Sequence, residues 1–409
     1  MRKVFPSKEL NRLIATAETK NPDLKAAAAR LEQSGFSLAS ARSGLFPSLS
    51  AGTSARRSRS NSAGQGFEAG SFTTERFDAT LDAAWEADIW GRIKSGIAAA
   101  QSDQRALAAD FATARQSIAA QTAQAYFQLV ASTQLVALAE RREKSFQQTY
   151  LRVDQRFGRG TATLGEVNLA KSDAQNAKAQ IHLARESRDA SKRNLAALVG
   201  AYPGTQYSAS QFPSLKRSIP AGLPSSLLRN RPDINAAYHR LRAADARIKV
   251  AHAELFPTIS LTAATGRLSD QIPNLTSPDF TIWSLAGNLS APIFDGGNLR
   301  AQKALAEAHA KEELAHYQST VLTALKEVED ALASESFLAS RESTIGEALK
   351  SAKVAQERFS RSYESGVGDL LTVLEVQRRV FDTEEALLNV KLLRYQNRVA
   401  LALALGKAY

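Results

Sequence analysis

The sequence predicts an internally duplicated α+β protein: two copies of one module, each with a helix, a pair of β-strands and a long helical hairpin. Three observations predict it. Short motifs recur far down the chain at a near-constant offset. All 12 prolines fall in residues 6–47, 203–257 or 273–292, which leaves two proline-free tracts for long helices. Period-2 alternation of apolar and polar residues marks a strand in each copy.

The repeat is read directly from the residues. Asn21-Pro22-Asp23 recurs as Arg231-Pro232-Asp233, and Leu45-Phe46-Pro47 as Leu255-Phe256-Pro257, both 210 residues on. Further along the offset is 206: Gly160 meets Gly366, Leu164 meets Leu370, and Leu198-Val199-Gly200 meets Ala404-Leu405-Gly406. The second copy has therefore lost four residues between Pro257 and Gly297. Solenoid periods run to ~20–50 residues, so this is one module duplicated, and its function is expected twice per chain. The copies are residues 1–200 and 227–409, joined by a linker at 201–226.

In chain order, Asn21-Pro22-Asp23 and Asn230-Arg231-Pro232-Asp233 read as helix starts. Proline is pre-set for the first helical position, and an acid in the first turn suits the dipole. Leu45-Phe46-Pro47 and Leu255-Phe256-Pro257 read as switches from helix to strand, because proline stops a helix and can open a strand. Strand pairs then occupy about 46–89 and 256–294. Phe77, Ala79, Leu81, Ala83, Trp85, Ala87 and Ile89 share one face; Asp78, Thr80, Asp82, Ala84, Glu86 and Asp88 share the other. In the second copy Trp283, Leu285, Leu289, Ala291 and Ile293 alternate with Ser284, Ala286, Asn288 and Ser290. Shorter alternations begin at Leu49 and Ile259. Gly91 and Gly296-Gly297 mark the return to helix.

The helical hairpins are expected at about 92–199 and 298–405. Their longer arms would span on the order of 95 Å at 1.5 Å per residue. Leu107, Phe111, Ile118, Ala125, Leu129 and Val136 follow steps of 4 and 7, as do Leu370, Leu374, Phe381, Leu388 and Tyr395. A repeat near 3.5 residues gives left-handed, coiled-coil-like packing. The tips fall at Arg156-Phe157-Gly158-Arg159-Gly160 and Ser362-Tyr363-Glu364-Ser365-Gly366, where glycine permits a tight turn between helices.

Apolar-out, polar-in strands of this length fit a tilted membrane β-strand or a soluble sheet with one wet face. One chain supplies four, and four cannot close. An open edge in lipid leaves backbone groups unpaired, so a membrane sheet needs a symmetric oligomer; three chains would give twelve strands.

Composition excludes several classes. There are no cysteines, hence no disulfide, thiolate metal site or cysteine nucleophile. The net charge is +11, but basic and acidic residues are interleaved and no recognition motif accompanies them, so no nucleic-acid partner is expected. No phosphate loop, nucleophile elbow or metal cluster is present, so neither enzymatic activity nor a cofactor is expected. His309 and His316 are seven apart and read as helix-surface residues. No run of 18 apolar residues predicts a membrane helix. No signal peptide follows Met1-Arg2-Lys3, which suggests a truncated start.

The stretch LLRNRPDINAAYHRLRAADARIKVAHAELFPTISLTAATG (Leu227–Gly266) resembles the signature of the TolC-like outer membrane factors, in their OprM/NodT branch. WEADIWGRIKSG, APIFDGGNLRAQ and SYESGVGDLLTVLEVQRRV are similar to that family's pattern too, and the resemblance covers essentially the whole chain. It implies a trimeric 12-stranded β-barrel continuous with a periplasmic α-barrel of 12 helices. It implies a belt drawn from the N-terminal segment, the Tyr202–Ser225 linker and the C-terminus. The function implied is a passive outer-membrane exit duct of a Gram-negative tripartite efflux pump, carrying small molecules and drugs. Its partners would be a periplasmic adaptor, an inner-membrane pump of the resistance-nodulation-division type, and outer-membrane lipid. Many relatives carry a lipid-bearing cysteine that this chain lacks.

The resemblance also assigns residues. Glu166, Tyr363, Asp369 and Glu375 would form the periplasmic gate. Gly368 stands where some members carry an arginine of that network. Arg156, Gly160 and Gly366 would lie at the adaptor-docking tips, and Asp78, Asp82 and Glu86 would face the lumen from the strands. Two alternatives remain at this point: an exit duct for protein toxins in type I secretion, and a soluble periplasmic helical adaptor or scaffold.

Overall fold

The computed structural model describes residues 5–61, 71–215 and 230–406. Helices α1 (Lys8–Lys20) and α2 (Pro22–Ser43) lead to strands β1 (Ser48–Asn61) and β2 (Ser71–Glu86), then to α3 (Arg92–Gly158) and α4 (Leu164–Leu198). The second copy gives α5 (Pro232–Ala253), β3 (Thr258–Ser269), β4 (Thr281–Ser290), α6 (Asn298–Glu364) and α7 (Leu370–Ala404). Residues 216–226 of the linker and Leu227 to Arg229 of the signature lie outside the described residues.

The duplication survives to the residue in its helices. α2 and α5 have 22 residues each, α3 and α6 have 67, and α4 and α7 have 35. The missing residues come from the sheet region, where strands of 14 and 16 residues become 12 and 10. At 1.5 Å per residue the longest helices run about 100 Å.

The joints explain themselves chemically. The Asn21 side-chain oxygen accepts from the amides of Asp23 (2.9 Å) and Leu24 (3.1 Å), capping α2 ahead of Pro22. Its amide nitrogen donates to Leu198 O at the end of α4 (2.9 Å). In the second copy Arg231 donates to Ala404 O at the end of α7 (3.2 Å), and also pairs with Asp233 (2.5 Å) and Glu327 (2.7 Å). Different side chains thus make the same tie.

Two strand ends differ from the sequence expectation. β2 stops at Glu86 and β4 at Ser290, so Ala87, Asp88, Ile89, Ala291 and Ile293 lie outside the sheet. Beyond the strand the Asp88 carboxylate accepts from the Ile93 and Lys94 amides, both at 2.9 Å, and caps α3. Asp295 does this for α6, accepting from Gly297 (2.9 Å) and Leu299 (2.7 Å).

The chain divides into two compact units. The first holds Met1–Ala29, Ala109–Asn235 and Ser319–Tyr409. Its principal core gathers α1, the middle of α3, the ends of α4 and α7, and linker residues Tyr207, Ala209, Phe212 and Leu215. Here α3 is buried on nearly every side from Thr122 to Ser132, because α1 and the linker cover the faces its hairpin partner leaves open. The coiled-coil stripe residues Ile118, Ala125, Leu129 and Val136 are buried, as are Leu370, Leu374, Phe381, Leu388 and Tyr395.

At the centre Phe127 meets Phe5 (4.8 Å between rings) and Tyr395 (4.9 Å), and the Tyr395 hydroxyl donates to Pro213 O. Burial pushes the Tyr395 phenol up to about 12. The neutral form is the one the fold holds, so its contribution is complete below the ordinary tyrosine value and disappears as pH rises from about 10 towards 12. That is worth at most about 2–3 kcal/mol. Thermal midpoints at pH 9 and pH 11.5 are expected to diverge more for the native chain than for Tyr395→Phe. Equal divergence would show that another group governs alkaline stability.

The second unit, Arg30–Ala108 and Ala236–Gln318, contains the sheet, ordered β1-β2-β3-β4 and antiparallel throughout. The register pairs Leu81 with Ala51 and Thr265, and Leu285 with Ala263. By parity, Leu49, Phe77, Leu81, Trp85, Leu261, Trp283, Leu285 and Leu289 share one face. Ser50, Ser54, Asp78, Asp82, Thr262, Ser284 and Asn288 share the other. The apolar face is bare: Leu49 is 67% exposed, Leu289 70%, Leu285 73% and Trp283 79%. A soluble sheet would bury such a face. Trp85 and Trp90 are tied instead at the helix-side end, where their indole nitrogens donate to Leu45 O (3.0 Å) and Pro257 O (2.7 Å).

Candidate functional site

Both hairpin tips are built by their glycines. Gly160 and Gly366 have φ of 71° and 85°, which lets their amides reach back to Phe157 O (2.8 Å) and Tyr363 O (3.1 Å) and close each helix. The next helix starts on a side-chain cap. Thr163 and Glu166 form a reciprocal capping box, with the Glu166 carboxylate accepting from the Thr163 amide (2.7 Å) and hydroxyl (2.9 Å). Asp369 caps α7 by accepting from the Thr372 amide (2.9 Å) and hydroxyl (2.7 Å), and those bonds hold its carboxyl below the usual carboxylate range.

Of the sequence-predicted residues, Arg156 and Tyr363 come together. The Arg156 guanidinium lies 4.4 Å from the Tyr363 ring centre and donates to Tyr363 O at 2.8 Å, joining α3 to α6. Tyr363 is buried against Val167, Leu370 and Val373, and its hydroxyl has no hydrogen-bond partner among the described residues. Burial pushes the Tyr363 phenol up; Arg156 opposes that shift and Glu166 reinforces it. Glu375 lies apart, exposed and paired with Arg379 on its own helix at 2.8 Å.

Sequence reading missed the polar ties just above the tips. Arg152 meets Glu364 (2.7 Å), Arg142 meets Asp382 (3.0 Å) and Arg378 meets Asp173 (2.7 Å). Gln377 donates to Ser145 Oγ (2.6 Å) and accepts from Thr149 Oγ1 (3.2 Å) while buried. Its signal was available: Gln377 stands in the apolar seam between Leu374 and Phe381. A polar residue there needs a partner across the helix interface.

The strand acids divide. Asp78 and Asp82 lie on the polar face, accepting from Ser54 Oγ (2.6 Å) and Thr80 Oγ1 (2.8 Å). Glu86 instead takes a two-pronged bond from Arg92 (3.0 and 2.7 Å) and ties the end of β2 to the start of α3. His309 and His316 both reach Glu312 on exposed α6, at 3.2 and 3.7 Å. Among the described residues no three His, Cys, Asp or Glu side chains gather to hold a metal ion, and no helix is long and apolar enough to cross a membrane.

The described residues thus combine an amphipathic sheet whose apolar face is exposed with two long helical hairpins. The sequence profile described as "Outer membrane efflux protein" matches residues 13–201 and 223–407. The pyoverdine export outer membrane protein OpmQ of Pseudomonas putida is 31% identical over 411 residues, covering 99% of this chain and 87% of that protein. The outer membrane protein OprJ of Pseudomonas aeruginosa is 33% identical over 404 residues, covering 97% and 84%. The crystal structure of VceC from Vibrio cholerae superposes with a TM-score of 0.89 at 27% identity, covering 98% and 97%. With both copies matched and the fold retained from end to end, the chain belongs to the outer membrane efflux protein family, a family of outer-membrane transport channels rather than enzymes.

Proposed function

We propose that this outer-membrane efflux protein works as a homotrimer, whose three sheets close into a 12-stranded barrel continuous with a barrel of 12 periplasmic helices. It is the passive exit duct of a tripartite efflux pump. A periplasmic adaptor docks at the tips around Arg156, Gly160 and Gly366, and an inner-membrane pump of the resistance-nodulation-division class supplies the energy. The carrying observation is the sheet: β1 and β4 have open edges and the apolar face is bare. In lipid both must be satisfied, the face by hydrocarbon and the edges by neighbouring copies. Mass measurement of the protein extracted from outer membranes in mild detergent tests this. Three 44.2 kDa chains, roughly 130 kDa, are expected. A water-soluble monomer would overturn it.

The tips act as the gate, with Glu166, Tyr363, Asp369 and Glu375 as its polar residues. The support is the contact between Arg156 and Tyr363, which fixes one hairpin of the protomer against the other. A cation–π contact and one hydrogen bond supply about 1–2 kcal/mol, small enough for an adaptor to overcome. Arg156→Ala is expected to raise entry of a large antibiotic such as vancomycin, seen as a several-fold fall in the inhibitory concentration at unchanged trimer level. Unchanged susceptibility would remove Arg156 from the latch.

A further inference from the structure

On the polar face of the sheet the charges are ordered. From the helix end towards the loop joining β1 to β2, Asp82 and Asp78 come first, each bonded to a hydroxyl. Two residues beyond Asp78 stands Arg76, and the register sets Arg56 directly opposite it. Both share the face of Ser54 and Asp78. Like charges directly opposed across an antiparallel pair are unfavourable, so this placement needs a counter-charge. The protomer supplies none in contact: the Asp270 carboxylate lines the same cavity but makes no ion pair with either guanidinium among the described residues. The Arg56 side chain has no hydrogen bond or ion pair among the described residues. Arg76 has only Asp78, at 4.0 Å, through the oxygen that already accepts from Ser54 at 2.6 Å. The adjacent Glu75 belongs to the other face, where it pairs with Arg57 at 3.1 Å.

The two guanidiniums line a cavity of about 530 Å³ with Ser58, Thr74, Ser269 and two acids, Glu75 and Asp270. The Ser58 and Thr74 hydroxyls are 2.9 Å apart, and the Thr74 hydroxyl also donates to Ser58 O at 3.4 Å, so both are engaged with each other. Two forked cations suit an oxyanion, because guanidinium matches carboxylate and phosphate geometry with two parallel bonds.

We propose that Arg56 and Arg76 form an oxyanion-binding exit mouth, which takes the carboxylate or phosphate group of an anionic solute as it leaves the duct. The proposal rests on the trimeric duct reading, under which six guanidiniums ring one lumen beyond the rings of Asp78 and Asp82. Rings of arginine favour anions, and rings of acid favour cations. This station of the duct is therefore selective for anions, and a solute bearing both charges meets its two complements in turn.

The test is the purified trimer in a planar bilayer, read as the chloride-to-potassium permeability ratio in a KCl gradient and as block by inorganic phosphate added on the loop side. Arg56→Gln with Arg76→Gln is expected to lower the ratio at least threefold and abolish the block. Asp82→Asn is expected to raise the ratio. Arg56→Lys with Arg76→Lys keeps the charge but loses the fork, so the ratio should hold while the block weakens. If the double glutamine variant fails to assemble, Arg56→Gln alone carries the measurement, since Arg56 holds nothing else in place. Native ratio and native block in the glutamine variants would overturn the mouth while leaving the duct standing. A native chain that gives no conducting trimer would overturn the duct itself, and the mouth with it.

Discussion

Replacing Leu285 by arginine is expected to abolish assembly in the outer membrane, whereas Ser284→Arg, one residue away, is expected to be tolerated. Leu285 lies opposite Ala263 on the apolar face and Ser284 opposite Ala264 on the polar face. A charge facing lipid near mid-depth costs about 2–4 kcal/mol, and a trimer carries three copies of it. A charge facing a water-filled lumen is solvated and costs little. Leu285 is largely exposed in the isolated protomer, so loss of core packing cannot mimic the effect. The measurement is the fraction of chains recovered as trimer from the outer-membrane fraction. If the two variants behave alike, the two faces of the sheet are not in different solvents.

Gly406→Ala is expected to destabilise the helical unit strongly, by roughly 3 kcal/mol, while Gly366→Ala costs only about 1. Both glycines have positive φ, 64° and 85°, so both substitutions carry the left-handed penalty of an L-residue. They differ in space. A Cβ at Gly406 would lie 2.7 Å from Asn230 O, a backbone atom that cannot turn away, whereas at Gly366 nothing lies within 4 Å. The first copy repeats the arrangement, with Gly200 at φ 70° and its added Cβ 2.6 Å from Lys20 O. Each long hairpin thus ends by pressing a glycine against the backbone just ahead of a proline-led helix, beside the tie made by Asn21 or Arg231. Thermal midpoints followed by helical circular dichroism separate the two terms. Equal losses at Gly406 and Gly366 would mean that the close approach contributes nothing.

Much of this architecture was legible without coordinates, because it follows from local rules. Two proline-free tracts became the hairpins, and the recurring motifs became the joints. The stripes through Leu129 and Leu374 became buried seams. Where reading failed, tertiary competition decided. Asp88 continued the alternation of β2 by type, yet the strand ends at Glu86 and the Asp88 carboxylate caps the Ile93 and Lys94 amides at the start of α3. Glu86 keeps to the polar face by register and also binds Arg92, six residues on. Gln377, which sequence reading passed over, meets Ser145 and Thr149, more than 200 residues away in sequence.

By itself the sequence showed the duplication, the extent of the long hairpin helices, the two faces of each strand and the family to which they belong. The helix stripes and strand faces depend on the periodicity of side chains along a chain, which is set by backbone geometry, and the duplication and the family on motifs that recur or resemble. The tertiary structure alone decided the strand register that stacks the apolar faces together, the contact of Arg156 with Tyr363, and the opposition of Arg56 to Arg76. Those depend on which distant residues share a few ångströms of space. No local rule encodes that, because a shift of one residue in pairing would leave every propensity unchanged and turn each side chain to the other face.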